Sequence, residues 1–177
     1  MARKAAWRWP ALVALTMAAG APTAASAQDL GDAFTDHLQR QIICQSAPDP
    51  TATLLYLSRK KRIDAKKGER ADSETCWKIY PVLKIDGVGF MHVCASAEDP
   101  LLIELFPLFY FRGPGTSPGT GLRLVTTDAE AAVDDWLERA KERLGIKGDT
   151  RLDIGEASSG AGKTEISCNS TSFLAGE

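Results

Sequence analysis

The segment Gly115 to Gly119, GTSPG, matches the G-x-S-x-G pattern that places a serine nucleophile on a sharp turn between a strand and a helix. In that chemistry the backbone N–H of the residue after the serine stabilises an oxyanion, but Pro118 has no N–H to donate. The triad histidine should follow the serine, whereas His37 and His92 both precede Ser117. We therefore interpret the segment as a glycine- and proline-rich turn between two strands.

The segment Ala157 to Thr164, ASSGAGKT, matches a phosphate-binding loop except for its first residue, which is alanine instead of glycine. Such a loop leads into a helix whose N-terminus faces the phosphates. The following residues, TEISCNS, instead alternate as a strand does, and only 13 residues follow Thr164. We predict a hairpin loop here, and no nucleotide or other cofactor.

Other catalytic and metal-binding patterns are sparse. No C-x-x-C occurs, and two histidines are too few for a typical zinc site, so no metal site is predicted. A pair of Asp or Glu side chains could still act as acid and base, because sequence does not encode their separation. A cleft holding a carboxyl group of raised pKa would support such a hydrolase, whereas a rigid protruding loop would support a binding protein.

The N-terminus has the three parts of a secretory signal: basic residues, the short apolar stretch Pro10 to Ala21, and the cleavage motif Ala25-Ser26-Ala27. We predict that residues 1–27 are removed and that residues 28–177 form one exported domain, periplasmic or secreted. An uncleaved anchor is the alternative, although the apolar stretch is short for a membrane span. Cleavage leaves 18 basic and 23 acidic residues, which argues against a nucleic-acid partner. No later stretch predicts an integral membrane span.

Four cysteines follow the predicted cleavage site, and an even number in an exported chain predicts two disulfides. They are Cys44, Cys76, Cys94 and Cys168. An uninterrupted hairpin between residues 76 and 94 would place Cys76 opposite Ala97, away from Cys94. We therefore favour the pairs Cys44–Cys76 and Cys94–Cys168, while the other two connectivities remain open.

The stretch from Cys76 to Cys94 predicts the central hairpin of the fold. Asp86-Gly87 suits a two-residue turn with positive φ angles, flanked by alternating apolar residues. The predicted core face runs from Trp77 through Phe90 to His92 and Cys94. Pro81 cannot donate to the ladder, so it requires either a free edge or a bulge. A bulge would move Cys76 to the same face as Cys94.

The remaining pattern predicts an α+β domain in which an antiparallel sheet of four to six strands is built on this hairpin. Helical spacing follows Asp29, and Asp49-Pro50 opens a second helix. A long helix spans about 128–145 and packs on the sheet. Residues 101–107 fit either a helix or a strand, and aromatic residues favour a strand from Leu108 onward. Further strands are predicted at 121–126, 149–154 and 164–168.

Two stretches are candidate binding surfaces. The first is the loop 113–121 with the preceding Arg112, whose prolines restrict its freedom; its candidate contact residues are Arg112, Thr116 and Ser117. The second is the basic run 59–70, represented by Lys60, Lys61 and Arg62, which suits an anionic lipid surface or an acidic protein. Charge runs usually face water, and we expect this one to be mobile, so the loop ranks first.

The absence of a catalytic or cofactor motif favours a non-catalytic function. We expect a small exported, disulfide-stabilised binding protein, inhibitor or envelope-partner module, whose partner is an envelope or extracellular protein. The alternative is a small secreted hydrolase that uses Asp or Glu carboxylates.

Overall fold

The computed structural model describes residues 31–114, 119–147, 152–158 and 162–171. Its four helices are α1 (Asp32–Ile42), α2 (Pro50–Arg59), α3 (Pro100–Leu105) and α4 (Glu130–Leu144). Its six strands are β1 (Glu69–Ala71), β2 (Glu74–Ile85), β3 (Val88–Ser96), β4 (Gly121–Thr126), β5 (Asp153–Glu156) and β6 (Thr164–Asn169). A short 3₁₀ helix, Ala65–Lys67, precedes β1. The predicted signal peptide lies outside the described residues.

All six strands form one antiparallel sheet in the order β1-β2-β3-β4-β6-β5. Helix α1 contacts β4 and β6, and helix α4 contacts β3 and β5. Trp136 of α4 meets Phe90 of β3 edge to face, with ring centroids 5.7 Å apart. The predicted α+β class, the strand number and the long helix are therefore confirmed.

The hairpin turn has the predicted geometry at Asp86-Gly87. Asp86 and Gly87 have φ angles of 46° and 92°, and Ile85 pairs directly with Val88. The Asp86 carboxylate also accepts hydrogen bonds from Gln39 of α1 (3.0 Å) and Arg143 of α4 (3.3 Å). The turn therefore connects the sheet to both of these helices.

A bulge at Pro81 makes our favoured disulfide pairing wrong. Lys78 pairs with His92 and Leu83 pairs with Phe90, so residues 79–82 face Met91 alone. This odd shift places Cys76 directly opposite Cys94, and the two form a disulfide. The other disulfide joins Cys44 to Cys168, so the end of α1 is fixed to β6. Among the described residues no cysteine is free.

The bulge also corrects part of the predicted core face. Trp77 and Phe90 are buried in the core as predicted. Beyond Met91, however, β3 shifts its register against β4 as well, so Val93 and Ala95 take the core positions. His92 and Cys94 therefore lie on the opposite sheet face, because a one-residue shift exchanges the two faces of a strand. We call this the open face, because α1 and α4 pack on the other one.

Residues 101–111 resolve the choice that the sequence left open. Residues 100–105 are helical, and the segment from Leu108 to Phe111 is not a strand, contrary to our expectation. Its aromatic residues serve packing instead: Phe109 meets Trp77 edge to face, and Tyr110 is buried. The Tyr110 hydroxyl lies 2.8 Å from the Thr51 hydroxyl of α2, and burial raises the pKa of Tyr110 to about 12.

Candidate functional site

The basic run 59–70 contacts the edge of β2. Tyr80 N–H donates to the Arg62 carbonyl at 2.8 Å, and the Trp77 indole donates to the Ala65 carbonyl at 3.3 Å. Gly68 lies against Trp77 so closely that an added Cβ would lie 2.6 Å from the indole nitrogen. Specific contacts therefore hold the backbone of this part of the chain to β2, while its lysines are exposed to water as expected of a charge run.

Arg62 has a structural position within this segment. Its side chain is only 5% exposed, and its guanidinium donates to the carbonyls of Pro81 (2.6 Å) and Val82 (3.3 Å) at the bulge. Burial lowers the pKa of this guanidinium. Arg62 thus satisfies carbonyls that the bulge withdraws from the β2–β3 ladder.

Four exposed lysines line an open cleft of about 650 Å³ beside this edge. We call it the lysine cleft, and its lysines are Lys61, Lys66, Lys67 and Lys78. Among the described residues that line it, Asp64 is the one acid. Asp64 already accepts from the Lys66 backbone N–H at 3.1 Å and lies 3.7 Å from the Lys67 ammonium. The cleft therefore presents net positive charge.

Large apolar side chains adjoin the same cleft. Tyr80 and Leu108 line it and are 76% and 50% exposed. Three residues earlier, on α3, Leu105 is 60% exposed, and Leu101 one turn before it is 57% exposed. Isolated exposed leucines are ordinary, but large apolar side chains that line a charged cleft, as Tyr80 and Leu108 do, are typical of an interaction surface.

A second, smaller pocket of about 380 Å³ lies on the open face. We call it the open-face pocket; the residues that concern its chemistry are Glu74, Cys76, Arg123, Ser158, Ser167 and Asn169. Strand register builds it, because Cys94 pairs with both Cys76 and Arg123, and Arg123 pairs with Ser167. Polar side chains from β2, β4 and β6 thus lie close together.

Arg123 organises the charges of the open-face pocket. Its guanidinium lies 3.1 Å from Glu165 and 3.4 Å from Glu74. Glu165 also accepts from the Ser158 backbone N–H at 2.9 Å. Burial raises the pKa of Glu74, Arg123 opposes that rise, and Glu165 adds to it. The pocket therefore contains a carboxyl group of raised pKa beside a second carboxylate.

Glu74 and Cys76 of this pocket form a close group of potential metal-ligand atoms with the buried Cys94. Both sulfurs are joined in a disulfide, so neither is a thiolate that could bind zinc.

His92 lies on the same face of the sheet. Burial lowers the pKa of His92, and its Nδ1 is buried without a hydrogen-bond partner among the described residues.

The predicted binding residues are not gathered into one site. Lys61 and the buried Arg62 both line the lysine cleft, whereas the Lys60 ammonium lies 5.6 Å from the Tyr56 ring centroid. Arg112 is exposed. Thr116 and Ser117, at the centre of the loop that we ranked first, lie outside the described residues, so their role stays a prediction.

Sequence reasoning missed Lys78, Tyr80 and Leu108 as neighbours of the basic run. They join it because residues 60–68 lie along β2, a pairing between distant parts of the chain. The sequence did contain one indication of them, because the alternation of apolar and polar residues places Lys78 and Tyr80 on the outward face of the hairpin. An exposed tyrosine on a strand edge is a recognisable candidate contact.

Among the residues that the structure describes, no helix is long and apolar enough to cross a bilayer. The chain matches no protein-family model, no curated protein and no solved structure, so the two surfaces described above are the basis for assigning a function.

Proposed function

We propose that this chain is an exported, non-catalytic binding module whose lysine cleft recognises an acidic region of an envelope or extracellular protein. The observation that carries the proposal is the charge of the cleft, which four exposed lysines and a single carboxylate line among the described residues. Such a surface attracts acidic partners and excludes basic ones.

The setting of the lysines also supports the proposal. Lys61, Lys66 and Lys67 belong to the segment that Tyr80 and Trp77 hold against β2. A partner that binds a preorganised surface loses less free energy to ordering than one that binds a loose loop. This reason favours the cleft over a purely solvated charge run.

The two disulfides are typical of a protein that works outside the cytoplasm, where cysteine thiols are oxidised. Together with the predicted signal at residues 1–27, they favour an envelope or extracellular partner over a cytoplasmic one. The loop 113–121 remains a second proposed contact surface of the same module.

The test uses a partner that is first identified by copurification from the envelope and then purified. Its affinity is measured by calorimetry for the wild type, for Lys66→Glu with Lys78→Glu, and for the control Lys84→Glu. Lys84 is also an exposed lysine of β2, but it does not line the cleft. We expect the double variant to lose about tenfold or more in affinity, equivalent to about 1.4 kcal/mol, and the control to lose little.

Salt provides the second half of this test. The difference between the wild type and the double variant should shrink as ionic strength rises, because ions screen exposed charges beyond about 8 Å at physiological salt. Equal affinities of all three proteins would remove the lysine cleft from the proposal.

One observation favours a second candidate function, a hydrolase that uses carboxylates. Glu74, with its raised pKa, would be the acid, and Glu165 would be the base. This candidate predicts that any hydrolysis of chromogenic glycosides or esters is lost in Glu74→Gln and kept in the control Glu142→Gln. We rank it second because Arg123 lies 3.4 Å from Glu74 and opposes the rise of its pKa.

A further inference from the structure

We propose that the lysine cleft takes an acidic peptide segment that also carries large apolar side chains, which pack against Tyr80 and Leu108. This inference rests on the proposed function and names the chemistry of the partner. A purely acidic ligand would use the lysines alone and would leave the apolar side of the cleft in water.

The distribution of exposed apolar residues supports an apolar contribution to binding. In the described part of the chain the large hydrophobic residues that remain exposed are Tyr80, Val82, Leu101, Leu105 and Leu108. All five belong to β2 near the bulge or to residues 101–108, and Tyr80 and Leu108 line the cleft together. A ligand that covers these side chains with its own apolar groups removes both from water, which favours binding.

The segment that carries Leu108 is held in place by contacts with the rest of the fold. Arg70 donates to the Pro107 carbonyl at 2.6 Å and lies over the Phe111 ring at 5.0 Å. Phe109 meets Trp77 edge to face in the core. Leu108 therefore projects from a segment that is anchored on both sides, and it can act as a preformed contact.

The edge of β2 excludes binding by strand addition at the bulge. Pro81 has no N–H to donate, and Arg62 already occupies the carbonyls of Pro81 and Val82. The backbone of Tyr80 is paired with Arg62 as well. A peptide here must be recognised through side chains, which is how charged and apolar groups in one cleft provide specificity.

An anionic membrane is a weaker match to the same residues. The lysines and Tyr80 line a recess of about 650 Å³, which is large enough to take peptide side chains. The whole chain is also net negative, with a formal charge of −2 before the predicted cleavage, so the rest of the surface opposes approach to an anionic bilayer.

The experiment measures fluorescence anisotropy with two labelled peptides of equal length and charge. One carries glutamates with interspersed leucines, and the other has serine in place of each leucine. The intact, oxidised protein is compared with Tyr80→Ser and Leu108→Ser, and Val82→Ser is the matched control. Val82 is also exposed on β2 but does not line the cleft. Thermal melts confirm that each variant is folded, and phosphatidylglycerol vesicles are a third probe.

We expect the leucine peptide to bind about tenfold or more tightly than the serine peptide, and Tyr80→Ser and Leu108→Ser to lose most of that difference while Val82→Ser keeps it. Equal binding of both peptides, lost on Lys66→Glu with Lys78→Glu, would overturn this inference but leave the proposed function intact. Binding of neither peptide would overturn both. Binding of the vesicles alone through these residues would overturn the inference in favour of a lipid ligand.

Discussion

Gly68 is a residue on which the position of the basic segment depends. A Cβ at this site would lie 2.5 Å from the Thr75 methyl carbon and 2.6 Å from the Trp77 indole nitrogen. Only glycine lets the chain approach β2 this closely, and that approach places Lys66 and Lys67 beside Lys78. The absence of a side chain at Gly68 thus allows the close packing of the basic segment against β2.

We predict that Gly68→Ala lowers the free energy of unfolding by about 1–3 kcal/mol, as overpacking of a closely packed site does. The matched control is Gly155→Ala in β5, where an added Cβ meets nothing within 4 Å. Chemical denaturation of both variants measures the difference. If Gly68→Ala were as stable as the control, the close packing of the basic segment against Trp77 would be wrong.

Glu74 is the residue whose protonation should affect stability. Burial raises its pKa above the ordinary value of 4.5, so the folded state holds this proton at pH values where the unfolded state has released it. Its contribution to stability is therefore fully present below pH 4.5 and declines as pH rises through the folded pKa.

Glutamine cannot ionise, so Glu74→Gln should remove this decline. We predict that the unfolding free energy of Glu74→Gln, relative to the wild type, increases between acidic pH and about pH 7. Urea denaturation across this range provides the measurement, and the exposed Glu142→Gln is the control. A relative stability that stayed constant or fell with pH would mean that Glu74 is not desolvated in the open-face pocket.

At the scale of elements, the two disulfides close loops of very different length. Cys44–Cys168 spans 124 residues, whereas Cys76–Cys94 spans 18 and joins strands that the Asp86-Gly87 turn already brings together. A cross-link that closes a longer loop restricts the unfolded chain more. The bond between α1 and β6 should therefore be the more stabilising one.

We predict that replacing Cys44 and Cys168 with alanine costs more stability than replacing Cys76 and Cys94, by roughly 1.5 kcal/mol. Thermal unfolding of both double variants tests this order. Peptide mapping of the oxidised protein without reduction should first recover the two pairs; recovery of Cys44 linked to Cys76 would contradict the strand register itself.

The hairpin also marks how far the sequence alone could predict the fold. The turn follows from local chemistry, because Asp-Gly tolerates positive φ, and the core positions of Trp77 and Phe90 follow from alternation. The disulfide pairing depends instead on how many residues the bulge at Pro81 contains. Pro81 indicates that the hydrogen-bond ladder between β2 and β3 is interrupted. It does not indicate that the register shifts by three residues, because the bulge also depends on contacts from elsewhere in the chain, such as that of Arg62.

The candidate site illustrates the same limit over longer distances. The basic run could be recognised from composition, yet its partners Lys78 and Leu108 come from a strand and from the segment after α3. The carboxylates at Glu74 and Glu165 meet across Arg123 only because the strands pair in this order. No short sequence motif predicts either the lysine cleft or the open-face pocket, because both combine residues from distant parts of the chain.

At the scale of the whole molecule, charge is unevenly distributed. The chain is acidic overall, with 23 acidic and 21 basic residues, and the open-face pocket places two carboxylates around one arginine. The lysine cleft carries the opposite sign at the edge of β2. An acidic partner should therefore be directed to one side of the molecule, and its association should slow as salt is added.

The most direct test of this account is an NMR titration of the isotope-labelled, oxidised protein with the acidic leucine peptide. The account predicts saturable shifts of the Lys61, Lys66, Lys67 and Lys78 signals and of Tyr80, with little change around Arg123. Shifts confined to Arg123 and Ser158 on the open face, or no saturable shift at all, would contradict it.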